Sequence, residues 1–102
     1  MNKDKFLNKI KYTIQSIDPD ATIILFGSRA RGDSKTLSDW DFLILTNEKV
    51  NELFKNKIRD ELFETELETD EIISSIIHNK DYWENLKITP LYKNIAREGI
   101  KI

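Results

Sequence analysis

Gly27-Ser28 ends an apolar run and is followed, after ten intervening residues, by Asp39-Trp40-Asp41. A Gly-Ser pair lets the backbone turn tightly and bring N–H groups and a hydroxyl close to phosphate oxygens. Residues i and i+2 of a β-strand share a face, so Asp39 and Asp41 project together while Trp40 and Phe42 project oppositely. Two carboxylates at one spot cost free energy through repulsion and desolvation unless a cation neutralises them. Mg²⁺ suits that spot, because it takes oxygen ligands, keeps waters and is usually completed by substrate phosphates. Loop and strand therefore describe one site.

With those residues, the chain resembles the small, stand-alone nucleotidyltransferases of the DNA polymerase β superfamily. The family pattern is Gly-Ser, about ten residues, then Asp-x-Asp between apolar strands, and the combination is far more specific than either half. The resemblance implies transfer of a nucleoside monophosphate, with ATP as substrate, to an acceptor hydroxyl, and release of pyrophosphate. It further implies that Gly27, Ser28 and the nearby backbone hold the triphosphate, and that Asp39 and Asp41 bind Mg²⁺, as two ions about 3.5 to 4 Å apart. In such in-line chemistry, positioning and charge stabilisation do most of the catalysis. Arg29 and Arg31 are candidate phosphate partners, since a guanidinium matches phosphate bidentately. The alternative for each is a solvated loop charge or an ion pair with Asp33.

The same family supplies a third carboxylate just before a later apolar strand. The matching stretch is Asp70 to His78, and alignment through Lys80 and Trp83 puts Ile72 at the acidic position, a departure from the pattern. Asp70 shares the strand parity of Ile72 and is the candidate third metal ligand; Glu71 would need a bulge to reach. Both also read as exposed turn acids. Without a third carboxylate the nucleophile-side metal is weakened most, while a triphosphate-side metal needs only Asp39 and Asp41.

The elements that must position these residues alternate. Phe6, Leu7, Ile10, Ile14 and Ile17 recur at helical spacing, predicting an amphipathic helix over 3–17 stopped by Asp18-Pro19-Asp20. A β-branched run over 21–26 reads as the strand leading into the loop, 29–38 includes a short helical turn, and 39–46 is a second strand, apolar on both faces. Val50, Leu53, Phe54, Ile58 and Leu62 carry a helix over 48–66, its other face charged and solvated. A third strand covers 72–78, and Asn79 caps a short helix through Leu86. Thr89 and Pro90 open a last helix, buried through Leu91 and Ile95, which stops at Gly99. The expected fold is α/β (α+β), one nucleotidyltransferase domain over 1–102 with helices packed on a small mixed β-sheet.

Composition narrows the function further. The chain has 102 residues, 39% of them apolar and 33% charged, a net charge of −2 and no cysteine. One modest core fits that length, and no basic stripe tracks a nucleic-acid backbone, which argues against direct nucleic-acid binding and a polymerase role. Zero cysteines exclude a disulfide framework and agree with a cytoplasmic protein; no apolar run approaches the roughly 20 residues that span a bilayer. Trp40 reads as a core anchor, Tyr82 and Trp83 as packing under the C-terminal helix, and His78 as a surface residue.

Larger members of the superfamily resemble this domain plus a helical domain that helps to hold the acceptor. A chain of this size is expected to find that part in a second protein, a second copy of itself, or its segment from Trp83 to Ile102. Small proteins of this type resemble the antitoxin of two-gene modules, whose partner is a helical HEPN-type ribonuclease that becomes AMP-modified on tyrosine. Two other readings stand beside that one: a catalytically impaired module of the same fold that acts by binding, and a transferase for a small molecule such as an aminoglycoside.

Overall fold

The structure, a computed structural model, describes residues 2–102. Helix α1 (Lys3–Ile17) is opened by Asn2, whose side chain accepts the Lys5 N–H, and it buries Phe6, Ile10 and Ile14 along one stripe. Strand β1 (Thr22–Phe26) runs into the single helical turn α2 (Ser28–Arg31), and β2 (Trp40–Thr46) returns antiparallel to it. The long helix α3 (Glu52–Thr69) then carries the chain over to β3 (Ile73–Asn79), which lies parallel to β2. Two short helices, α4 (Lys80–Glu84) and α5 (Pro90–Glu98), precede the two-residue strand β4 (Ile100–Lys101), which pairs antiparallel with β1. The sheet order is β3-β2-β1-β4, mixed in direction.

Alternation along the central strands divides the core in two. On one face Ile23, Leu25, Phe42, Ile44 and Ile77 meet α1 and α3 through Phe6, Ile10, Ile14, Ile58 and Leu62. On the other, Leu43 and Leu45 meet Trp83 and Ile95 of the two late helices. Burying each such side chain contributes about 1.5–3 kcal/mol, enough for one modest domain. This double covering explains why β2 reads as apolar on both sides. At the strand end away from the loop, the buried Asp18 carboxylate accepts the Thr46 hydroxyl and ties the α1–β1 turn to β2.

Several boundaries and faces differ from the sequence expectations. Helix α3 starts later and ends later than 48–66 because Asn51 caps it, accepting the Phe54 N–H, and Asp70 ends it in a left-handed conformation. The buried stripe runs through Ile58, Leu62 and Thr65, so Leu53, about 100° around the helix from Phe54, is 80% exposed. Leu91 likewise faces solvent, because α5 packs through Tyr92 and Ile95. Gly99 ends α5 in an extended rather than left-handed conformation, which sends the chain directly into β4. The caps at Asn79 and Thr89 form as expected, and Trp40 is a core anchor, its ring 4.7 Å from that of Phe6. Trp83 packs under α5 against Tyr92, whereas Tyr82 is half exposed, and His78 is partly covered between Tyr82 and Trp83.

Candidate functional site

The loop begins where β1 stops. Gly27 has φ 75° and ψ −160°, a region essentially closed to other residues, and it stands at the N-terminus of α2. A Cβ built there would lie 3.2 Å from Asp41 Cγ and inside contact distance of the Asp41 carboxylate oxygen. Asp41 is thus seated directly against the bare Cα of the Gly-Ser turn. The Gly27 carbonyl accepts the Ala30 and Arg31 N–H groups at 3.0 Å, closing the turn. The first amides of that turn, at Ser28 and Arg29, lie beyond the reach of its own carbonyls.

Register assembles the rest. Asp41 pairs with Phe26 on β1 and Ser74 on β3, so its side chain stands on the sheet face that α4 and α5 cover only in part. Asp39 precedes the strand and is exposed; Asp41 is half-buried. Burial, and next the Asp39 carboxylate, push the Asp41 carboxyl above its ordinary value of 3.8, with Arg31 opposing. The two acids therefore share one electrostatic spot. Two carboxylates that act on one another, one partly desolvated and the other exposed, fit a Mg²⁺ seat of the triphosphate-completed kind. Among the described residues, no group of three or more His, Cys, Asp or Glu side chains gathers as a metal cluster.

The two arginines part company. The Arg29 guanidinium donates to the carbonyls of Ser38, at 2.9 Å, and Thr36, at 3.2 Å, and lies 4.4 Å over the Trp40 ring. It clamps the two ends of the loop together on the sheet face opposite Asp41, a structural contact set outside both sequence readings of Arg29. Arg31 donates to Asp33 at 3.2 Å and to both oxygens of Glu98 at 3.3 Å. Its charge also bears on Asp41, and the hydrogen bonds to Asp33 and then to Glu98 raise its own pKa. The Asp33 pair was one of the two sequence readings of Arg31; the Glu98 pair was in neither.

The third-carboxylate position is apolar. Trp40 N–H donates to the Ile72 carbonyl and Asp41 pairs with Ser74, so Ile72 and Ser74 occupy the β3 side of the Asp39–Asp41 face. Ile72 is 51% exposed there. Asp70 sits at the C-terminus of α3 with φ 58°, and the structure does not gather it with Asp39 and Asp41. Glu71 accepts the Trp40 indole N–H at 2.9 Å and lies 3.8 Å from Arg29, again on the opposite face. Glu98 is the residue that sequence reasoning missed: its carboxylate also accepts the Gly27 N–H, at 3.3 Å. Only the pairing of β4 with β1 brings it there, and a two-residue strand leaves no periodic signal.

Comparison with known proteins bears on the family and the fold. The family described as "Nucleotidyltransferase domain" matches residues 7–102. The chain is 32% identical over 65 residues to a probable protein adenylyltransferase MntA of Haemophilus influenzae, a match covering 64% of this chain and 57% of that protein. Among solved structures it is similar to a toxin–antitoxin with AMP-PNP, at TM-score 0.66 and 20% identity over 92% of this chain and 69% of that one. A mutant MntA-HpeT toxin–antitoxin is similar at TM-score 0.61 and 18% identity, over 94% of this chain and 69% of that one. At these identities the solved structures speak for the fold.

Proposed function

The chain belongs to the nucleotidyltransferase domain family, and on that footing we propose that it transfers AMP from ATP to a hydroxyl of a partner protein, a helical HEPN-type toxin. The observation that carries the reading is the seating of Asp41 against Gly27, which joins the carboxylate pair to the Gly-Ser turn as one site. Similarity to a protein named as an adenylyltransferase supports the nucleotide, and similarity to toxin–antitoxin structures supports the partner. A reaction that consumes ATP suits a cytoplasmic protein, and that location is part of the proposal. Among the described residues no helix is long and apolar enough to cross a membrane.

In the reaction, the acceptor oxygen bonds to the α-phosphorus as the α–β phosphoanhydride breaks, pyrophosphate leaves, and the hydroxyl proton passes to solvent. The Ser28 hydroxyl and the free amides of the α2 turn hold the terminal phosphates. Arg31, poised between acids, exchanges one of those partners for a phosphate oxygen. Asp39 and Asp41 would hold Mg²⁺, which when bound neutralises charge on the triphosphate. Arg29 keeps the loop ends closed so that these donors hold their aim.

The test incubates the protein, with and without its genetic neighbour, with labelled ATP and Mg²⁺. Label should pass to the partner and be lost in the Asp39→Asn, Asp41→Asn double variant; transfer that survives the double substitution sinks the reading. A second reading, a binding module that neutralises its partner without transfer, is favoured by Ile72 in the acidic position. It predicts neutralisation that persists without the two aspartates.

A further inference from the structure

The donors expected to greet a triphosphate include the backbone around Gly27 and the Arg31 guanidinium, and both are engaged by one carboxylate, that of Glu98. Its place is dictated by the backbone. β1 and β4 pair Ile24 with Lys101 and Leu25 with Ile100, and that short ladder brings the end of α5, where Glu98 stands, beside the Gly27 turn at the end of β1. The register depends on Gly99. A Cβ there would lie 2.5 Å from the Ile95 carbonyl oxygen and 2.7 Å from Ile24 Cγ2, so only a glycine lets the chain cross this tightly from α5 to β4. The Glu98 side chain is only 15% exposed, which makes its contacts less screened than those of a surface pair.

The Gly27 N–H lies outside the α2 turn, on the side of the chain that comes from β1. Bonding it leaves the Ser28 and Arg29 amides free and fixes the peptide that orients them. The same carboxylate, through Oε1, which also accepts from Gly27, and through Oε2, holds Arg31 close enough to act on Asp41. Arg31 in turn offsets the Glu98 charge, so that a carboxylate beside a triphosphate seat is tolerated.

We propose that Glu98 is a positioning residue of the triphosphate loop, holding the Gly27 peptide and Arg31 in the arrangement that receives the phosphates. This rests on the nucleotidyltransferase reading above. Its action is on nucleotide binding and is felt equally before and during transfer, so it governs KM more than kcat.

The experiment compares wild type with Glu98→Ala and the near-isosteric Glu98→Gln. Three quantities are measured on each: Kd for Mg–ATP by calorimetry, KM and kcat for transfer, and Tm by circular dichroism. Glu98→Ala should raise Kd and KM by about tenfold or more, the scale of one lost charge-assisted hydrogen bond, with kcat changed far less. Glu98→Gln keeps an acceptor for Gly27 but loses the ion pair, and should fall between. Kd and KM within twofold of wild type in both variants overturn the proposal. So does a fall in Tm and kcat at unchanged KM, which marks a merely structural residue. Tighter Mg–ATP binding overturns it too, by showing that Glu98 competes with phosphate. If wild type binds Mg–ATP but transfers nothing, the transfer reading fails, and the Kd comparison still decides the role of Glu98.

Discussion

Gly27→Ala should disrupt both the fold and the site, because it fails twice at the same place. The backbone at φ 75° and ψ −160° is open essentially to glycine alone, and forcing a side chain into such a region costs about 1–3 kcal/mol. The added Cβ would lie 3.2 Å from Asp41 Cγ and closer still to its carboxylate oxygen, so the Asp41 side chain must leave its rotamer. That displacement costs about 0.5–1.5 kcal/mol more. Together the loss is about 1.5–4.5 kcal/mol, a large share of the roughly 5–15 kcal/mol that stabilises a domain. Equilibrium urea denaturation at pH 7 measures the first consequence. Calorimetry with Mg–ATP measures the second, loss of binding, since the shifted carboxylate no longer faces the turn. A Gly27→Ala variant within about 0.5 kcal/mol of wild type that binds Mg–ATP normally would refute the claim that turn and carboxylate form one site.

Three other outcomes are expected. Burial and Asp39 raise the Asp41 carboxyl above 3.8, so the folded state holds its proton more tightly than the unfolded chain does; the resulting penalty is absent at low pH and complete once pH exceeds the raised value. Asp41→Asn should therefore raise Tm at neutral pH while removing any Mg²⁺ response, and a lower Tm contradicts the assignment. Ile72→Asp, at an exposed position on the Asp39–Asp41 face, should tighten Mg²⁺ binding with stability within about 0.5 kcal/mol; calorimetry showing no gain in affinity counts against Ile72 as the vacant acidic position. Burial, then Lys55, hold His78 below 6.5, so its contribution to stability is present above that pH and is lost as pH falls through the folded-state value. Its ring-proton NMR titration should move upward in Lys55→Gln, and a wild-type midpoint at or above 6.5 rejects this account.

Much of the site was legible because its signals are local. The Gly-Ser turn, the ten-residue gap and the Asp-x-Asp parity depend on how a chain turns and how a strand alternates, and the face that Trp40 turns to the core follows from the same alternation. The apolar spacing of α1 and the caps at Asn79 and Thr89 are equally short-range. Leu53 and Leu91 were misplaced for a related reason: helical spacing marks a stripe, but what packs against it decides how wide that stripe is.

The sequence by itself determined the fold class, the alternating order of elements and the acid pair beside a phosphate-type turn, since each is written in residues close to one another along the chain. Tertiary structure alone decided the work of the charged side chains. Arg29 became a loop clamp because Ser38, Thr36 and the Trp40 ring surround it, and Arg31 is held near Asp41 because Glu98 at the end of α5 is brought beside the loop. A long charged side chain can satisfy itself with many partners at little difference in local energy. Which partner it meets is set by the register of distant strands, here the pairing of β4 with β1, which no local pattern records.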